Sequence, residues 1–182
     1  PYSEIYHYGI SKVTKEILAD VKAKGYTLKF VAESRRTGDK TCKVSVEPVL
    51  VKSDNPLSAV NYEFNSVYIN CSTNDLLGFY GKGAGKLPTA SAVVSDIIDA
   101  TRHVGVNVRV DWDEDKMAII PAEEAEIKAM IRFALKSDKT KENCIAAFEG
   151  ADIISLEDYK DEFALLTKSA PEGEIKAKLA AI

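Results

Sequence analysis

An α+β fold is the class predicted by this sequence of 182 residues, and three observations support it. Stretches in which apolar and polar residues alternate occur in both halves of the chain, and this period of two is typical of strands with one buried face. Between them lie segments with apolar residues three and four positions apart, which are typical of helices. Short polar turns join neighbouring strands, and this favours antiparallel pairing in an α+β layer.

The chain up to Tyr80 is predicted to contain one helix and four strands. Thr14 is the expected N-cap of the helix, and Gly25 stands where a left-handed residue ends one. The run Arg35–Lys40 is expected to be a turn, and Pro48 is expected to end the second strand. We expect one sheet with helices on one face, its other face meeting water or another subunit. Its strands are Tyr26–Ala32, Thr41–Val46, Ser66–Ser72 and Leu76–Tyr80.

A glycine-rich segment, Gly81–Thr89, follows the fourth strand and leads into a helix. Thr89 is the expected N-cap of this helix. Its apolar stripe is formed by Val93, Val94, Ile97 and Ile98. A further strand is expected at Val106–Trp112, because every second residue there is apolar.

The glycines of this segment have two interpretations. Gly81, Gly83 and Gly85 can adopt positive φ and let the backbone approach a ligand closely. The helix that follows offers unpaired N–H groups, which attract anions. However, the spacing is neither that of a Walker loop nor that of a GxGxxG fingerprint. On the residues alone, a tight structural turn and a ligand cradle are equally well supported.

The chain from about Glu123 is predicted to form a second, smaller α+β domain. Its order of elements, β-α-β-β-α, describes a ferredoxin-like split βαβ unit that lacks its last strand. The first strand, Lys128–Lys136, would then be an open edge for Val106–Trp112 or for a neighbouring subunit. The other expected elements are a helix through Cys144 and Phe148, strands at Ala151–Leu156 and Glu162–Thr167 around a turn at Glu157–Asp161, and a helix with Ile175, Leu179 and Ile182 on one face.

Composition argues against several classes of function. A net charge of −4 with no stripe of Lys and Arg gives no expectation of nucleic-acid binding. The apolar runs are too short to span a membrane. Three widely spaced cysteines, Cys42, Cys71 and Cys144, fit reduced thiols in the cytoplasm. His7 and His103 lie far from each other and from the cysteines in sequence, so no metal site is expected.

Several separated motifs agree in both sequence and spacing with one known family. The most distinctive is YGKGAGKLPTASAVVSDI at Tyr80–Ile97. Upstream lie Gly9-Ile10, Gly25-Tyr26, Val46–Val51 and Asn55–Val60. Together they resemble homoserine dehydrogenases, in which the glycine segment joins the last strand of the substrate domain to a helix that returns to the nucleotide-binding domain. The resemblance covers Tyr2–His103 in continuous order.

The resemblance implies an enzyme of threonine and methionine biosynthesis. Family members interconvert L-homoserine and L-aspartate 4-semialdehyde, a small-molecule substrate pair, with NAD or NADP, and they form homodimers or higher homo-oligomers. In the family, the Rossmann domain and the catalytic acidic and lysine residues come before the position that corresponds to Pro1 of this chain. We therefore expect no catalytic residue in this chain and no activity from the chain alone. The resemblance places Gly83 and Gly85 near the nicotinamide end of the cofactor.

The resemblance also implies a division into domains. Residues 1–112 correspond to the end of the substrate and dimerisation domain, 113–122 to a linker and 123–182 to an ACT-like regulatory domain. ACT domains usually carry Asp-x-Pro-Gly after the first strand, where this chain has Asp138-Lys139-Thr140-Lys141. Binding of threonine at this turn is therefore not expected, and Asp138 is expected to be a helix cap. The alternative function is a non-catalytic dimeric module that senses a small molecule.

Overall fold

The computed structural model describes residues 2–107, 109–111, 115–135, 138–156 and 161–182, and the side chains of 138–140 lie outside this description. Helices and strands are interspersed along the chain, so the predicted α+β class is confirmed. The main elements are β1 (Tyr6–His7), α1 (Lys15–Ala23), β2 (Tyr26–Arg36), β3 (Thr41–Lys52), β4 (Phe64–Cys71), β5 (Asp75–Lys82), α2 (Lys86–Arg102), β6 (Ala118–Ile119), β7 (Glu126–Ile127), β8 (Met130–Ala134), α3 (Asp138–Ala147), β9 (Asp152–Ser155), β10 (Glu162–Leu166), β11 (Ala170–Pro171) and α4 (Glu172–Ala180).

The chain packs into two compact units. The first unit comprises Pro1–Lys24, Phe30–Val49 and Lys116–Ile182. The second unit comprises Gly25–Lys29 and Leu50–Asp115. The domain boundaries expected from the family resemblance stay a prediction.

Helix α1 has the two ends that the sequence predicts. Thr14 Oγ1 accepts a hydrogen bond from the N–H of Ile17 at 3.4 Å, and Gly25 follows the helix with a φ of +77°. Val21 is 2% exposed. The carboxylate of Asp20 lies 4.0 Å from the guanidinium of Arg132 on β8. Within the first unit, α1 is therefore held by an ion pair to the C-terminal strands.

Two strands run further than predicted. β2 continues to Arg36, so the predicted turn is confined to residues 37–40. β3 passes through Pro48 instead of ending there. The carbonyl of Val46 accepts the N–H of Tyr8 at 2.9 Å, where β1 ends. Pro48 faces the same side as Val46 but lies beyond β1, so its missing N–H interrupts no ladder bond.

The predicted strands lie in two sheets, and the expectation of one sheet is wrong. β1, β3 and β2 are neighbours in a four-stranded sheet, with β6 also beside β3. β4 and β5 form an antiparallel hairpin and pair only with each other in the described chain. The alternation of residues defines the faces of a strand but carries no information about which strand will pair with its edge.

Helix α2 begins four residues earlier than predicted, because its N-cap is Gly85 and not Thr89. The N–H of Thr89 donates to the carbonyl of Gly85 at 3.1 Å. Pro88 is accommodated in the first turn, where a backbone N–H has no helical partner in any case. The strand expected at Val106–Trp112 is not formed by the described residues 106–107 and 109–111; Val108 and Trp112 lie outside them.

The C-terminal part of the first unit contains a three-stranded antiparallel sheet in the order β8-β10-β9. Helices α3 and α4 cover one face of it. Its core includes Cys144, Phe148, Phe163, Leu165 and Ile175, which are all buried. These strands and helices agree with the predicted order, while residues 157–160 of the predicted turn are outside the description. No helix among the described residues is long and apolar enough to cross a membrane.

Candidate functional site

The candidate site is the glycine segment at the open end of the β4–β5 hairpin. The hairpin register brings Phe64 opposite Lys82. One further hydrogen bond, from the N–H of Gly83 to the carbonyl of Glu63 at 3.0 Å, continues the ladder beyond β5. The segment then turns into α2 at Gly85. The hairpin therefore positions the first part of the segment, and the helix positions the last.

Gly85 has a backbone conformation that only glycine adopts without strain. Its φ is +119° and its ψ is 158°. Side chains clash with the backbone in this region, so a substitution costs stability even where space is open. A Cβ atom here would meet only the ring of Pro88, at 3.5 Å. Conformation, and not lack of space, is what requires glycine at this position.

Gly83 is limited by a neighbouring side chain and not by its backbone conformation. Its φ is not positive, so its conformation is open to other residues. A Cβ atom on Gly83 would lie 1.5 Å from Nδ2 and 2.7 Å from Cγ of Asn65. The carboxamide of Asn65 thus occupies the space that a side chain would need. Both predicted cofactor residues have a local structural reason to be glycine, and their contact with a cofactor stays a prediction.

Charged groups surround the base of the segment. Lys82 Nζ lies 3.0 Å from Glu63 Oε1 and 5.4 Å from the centre of the Phe64 ring. A hydrogen bond from its own backbone N–H and another from Lys82 hold the pKa of the Glu63 carboxyl below its usual range. Both side chains are about half exposed, at 51% and 43%, so this pair steadies the hairpin end only weakly.

The first turn of α2 offers unpaired backbone donors. No side chain caps this end of the helix. The N–H groups of Lys86 and Leu87 belong to the first turn and have no helical acceptor. The glycine positions and both of these residues are exposed. Pro88, also in this turn, has no N–H to donate. The exposed N–H groups of Lys86 and Leu87 are open to a polar group of a ligand.

Three other expectations concern metal ions, thiols and the cap at Asp138. In the described part of the chain, no three His, Cys, Asp or Glu side chains form a group that could hold a metal ion. Cys42, Cys71 and Cys144 are free thiols. The side chain of Asp138, the expected helix cap of the ACT-like turn, lies outside the described residues.

Asn65, Glu63 and Lys82 were missed by sequence reasoning. In the sequence they lie outside the predicted strands Ser66–Ser72 and Leu76–Tyr80, and polar residues at such positions usually face solvent. Their importance depends on the register that places Asn65 opposite Gly81, two residues before Gly83. The available signal was weak: an Asn in a strand, where this residue type is depleted.

Comparisons with known proteins agree with the family resemblance. A sequence model described as homoserine dehydrogenase matches residues 1–98. A homoserine dehydrogenase of Bacillus subtilis is 42% identical over 100 residues, covering 55% of this chain and 23% of that protein. One from Neisseria gonorrhoeae is 32% identical over 201 aligned positions, covering 100% of this chain and 45% of that protein.

Solved structures show the same relationship. The crystal structure of a homoserine dehydrogenase from Thiobacillus denitrificans has 26% sequence identity and a TM-score of 0.79, and the match covers 100% of this chain and 44% of that one. The Staphylococcus aureus homoserine dehydrogenase at pH 7.0 has 23% identity and a TM-score of 0.70, which shows a shared fold.

The fold and the glycine segment thus place this chain among α+β proteins in which a glycine turn joins a strand to a helix. The chain belongs to the homoserine dehydrogenase family. It spans less than half the length of these relatives, between 23% and 45% of each.

Proposed function

We propose that the chain is the substrate-domain and regulatory portion of an NAD- or NADP-dependent homoserine dehydrogenase. With a nucleotide-binding domain it interconverts L-homoserine and L-aspartate 4-semialdehyde in threonine and methionine biosynthesis. The observation that carries this proposal is the family match across residues 1–98, which includes the whole glycine segment and most of α2. Alone, the chain is expected to be inactive, since it provides no Rossmann fingerprint to hold the dinucleotide.

In this proposal the glycine segment meets the nicotinamide end of the cofactor. The cofactor supplies hydride transfer when bound, and the chain supplies position. Gly83 and Gly85 keep the backbone free of side chains on an exposed loop. The unpaired N–H groups of Lys86 and Leu87 are suitable donors for a polar group of the cofactor or substrate. No side chain of this chain is assigned a proton-transfer role.

The proposal also gives a partner to the apolar stripe of α2. Val93, Val94, Ile97 and Ile98 are between 45% and 57% exposed. The nucleotide-binding domain is the expected cover, because the helix leads away from the substrate sheet toward it in this family. A stripe of this kind on a free surface marks a contact with another domain or chain.

The hairpin supports the proposal of a homodimer or a higher homo-oligomer. The hairpin has large apolar side chains that are more than half exposed, namely Val67, Phe79 and Tyr80 at 59%, 61% and 56%. Every residue of β5 is exposed. Exposed strands of this length recruit other strands or sheets. Light scattering of the purified chain is expected to give the mass of two chains or a multiple of two. A clean monomer at high protein concentration contradicts the dimer.

The C-terminal sheet supports a divergent ACT-like domain. Its strand order β8-β10-β9, with α3 and α4 on one face, is the order of a split βαβ unit without its closing strand. The effector-binding glycine turn of such domains is replaced by the sequence around Asp138. We therefore expect calorimetry with threonine to detect no binding, and saturable heat would contradict this part of the proposal.

The main test joins the chain to the nucleotide-binding portion of the Bacillus subtilis relative, placed upstream. Homoserine oxidation is followed by the absorbance of the reduced nicotinamide, with NAD and NADP in separate assays. The fusion is expected to turn over, while the chain alone and the nucleotide-binding portion alone do not. A correctly folded fusion without turnover contradicts the enzyme proposal and favours the non-catalytic small-molecule sensor.

A further inference from the structure

We propose that Asn65 is a positioning residue for the glycine segment. Its carboxamide packs against Gly83 and fixes where the Gly83–Gly85 backbone lies relative to the hairpin. This inference rests on the proposed function, because it names the side chain that shapes the proposed cofactor loop. In this proposal Asn65 does not touch the reacting atoms and acts only through the backbone of the segment.

Cross-strand geometry places Asn65 over the segment. Asn65 is the register partner of Gly81, yet a Cβ atom on Gly81 would meet nothing within 4 Å. The side chain instead leans over Gly83, two residues further on, where Nδ2, Cγ and Cβ would lie 1.5, 2.7 and 3.4 Å from an added Cβ atom. Such diagonal neighbours in an antiparallel pair are within reach of one another.

The carboxamide contributes shape and not an internal hydrogen bond. Asn65 is exposed, and no hydrogen bond joins its side chain to another described residue. The planar group lies against the Cα side of Gly83. Gly83 is tied from the other direction by its N–H bond to the Glu63 carbonyl at 3.0 Å. The residue is thus held between a strand carbonyl and a side chain.

Movement at Gly83 is transmitted to the start of α2. One residue separates Gly83 from Gly85, which is the N-cap of the helix and has a φ of +119°. A chain this short between two fixed points has little freedom to absorb a shift. Loss of the Asn65 carboxamide therefore loosens the backbone of Ala84 and Gly85, and with it the unpaired N–H groups of the first turn.

The first experiment measures backbone hydrogen exchange in the chain itself by NMR. Asn65→Ala is expected to speed exchange at the Gly83 amide by about tenfold. The matched control is Asn70→Ala, because Asn70 is another exposed Asn of β4 at the far end of the hairpin, opposite Leu76. Asn65→Asp keeps the planar shape and is expected to restore slow exchange. Equal exchange in Asn65→Ala and Asn70→Ala would overturn the proposal.

The second experiment measures kcat and KM in the fusion. Asn65→Ala is expected to lower kcat by about tenfold with little change in the KM for homoserine, because misplacement of the loop affects the reacting geometry. Gly83→Ala pushes the same carboxamide aside, so the double variant is expected to be no slower than either single variant. Losses that multiply in the double variant, or a kcat for Asn65→Ala equal to that of Asn70→Ala, would overturn the positioning role.

Failure of this inference is distinguishable from failure of the proposed function. If the unmodified fusion does not oxidise homoserine, the proposed function fails, and the cofactor part of the inference fails with it. The exchange experiment still decides whether Asn65 holds the glycine segment. If the fusion is active and the Asn65 variants behave like the Asn70 control, only the inference fails.

Discussion

The apolar residues of the C-terminal sheet and of the two helices on it are buried, whereas those of the α2 stripe are exposed. In the first unit, Cys144 on α3 and Leu165 on β10 are 0% exposed, and Ile175 on α4 is 4% exposed. In the second unit, Val94 and Ile97 on α2 are 53% and 57% exposed. An amphipathic pattern predicts that a helix has a face to cover, but it does not say whether the covering element lies in the same chain.

The largest expected effect comes from truncating one residue in each region. Leu165→Ala is expected to lower the free energy of unfolding by about 3 to 4 kcal/mol, because it leaves a cavity in the core. Ile97→Ala is expected to change the free energy of unfolding by less than about 0.5 kcal/mol, because this exposed side chain makes few packing contacts. Urea unfolding followed by circular dichroism measures both.

The same truncation of Ile97 has a different expected result in the fusion. With the nucleotide-binding portion attached, Ile97→Ala is expected to cost about 1 to 2 kcal/mol, since the stripe is then buried. A cost of that size in the chain alone would show that the second unit already covers α2. An unchanged small cost in the fusion would show that the nucleotide-binding portion packs elsewhere.

The rates of thiol labelling at Cys144 and Cys71 report on the same two regions in the unmodified chain. Burial raises the pKa of the Cys144 thiol, and the thiolate is the reactive form. Cys71, on the hairpin, is partly exposed. Under native conditions Cys144 is expected to react with a thiol reagent at least about 100-fold more slowly than Cys71, because it must wait for the core to open. Mass spectrometry of the labelled peptides gives the two rates, and similar rates would contradict a closed C-terminal core.

Gly85 and Gly81 separate conformation from space within the glycine segment. Gly85→Ala is expected to destabilise the second unit by about 1 to 2 kcal/mol, because its φ of +119° strains any side chain. Gly81→Ala is the matched control, since its Cβ would meet nothing within 4 Å and its φ is not positive. Thermal unfolding of the two variants is the measurement.

The functional consequence of Gly85 is tested in the fusion. A Val side chain here is expected to lower homoserine oxidation by about 100-fold per folded molecule if it displaces the reacting atoms by about an ångström. Activity that falls only in proportion to the folded fraction would mean that the segment is a structural turn. In that case Gly85 would not belong to a cofactor site.

The smallest expected effect concerns the pair at the base of the segment. The pKa of Glu63 is lowered first by its own backbone N–H and then by Lys82. A lowered carboxyl pKa contributes stability above the unfolded-state pKa, and that contribution is lost as the pH falls through the folded-state pKa. An NMR titration of Lys82→Met is expected to move the Glu63 pKa upward, but not fully to the usual value, because the backbone bond remains. An unchanged pKa would exclude Lys82 as a cause.

Much of the local structure could be predicted from the sequence, and so could the family, from the motif of the glycine segment. The cap at Thr14 and the glycine at Gly25 predicted both ends of α1, since each depends on a few adjacent residues. The hairpin and the C-terminal order of elements followed from periodicity for the same reason. The motif around Gly83 indicates the homoserine dehydrogenase family, to which the chain belongs.

The features that local sequence did not predict depend on residues that are distant in sequence or on groups with several local options. Pro48 remained in β3 because β1 ends two residues earlier on that side, which no local pattern records. The start of α2 moved to Lys86 because Gly85 took up a conformation that propensity leaves open. The space at Gly83 is filled by Asn65 from another strand, so the reason for that glycine is a contact and lies outside its own segment.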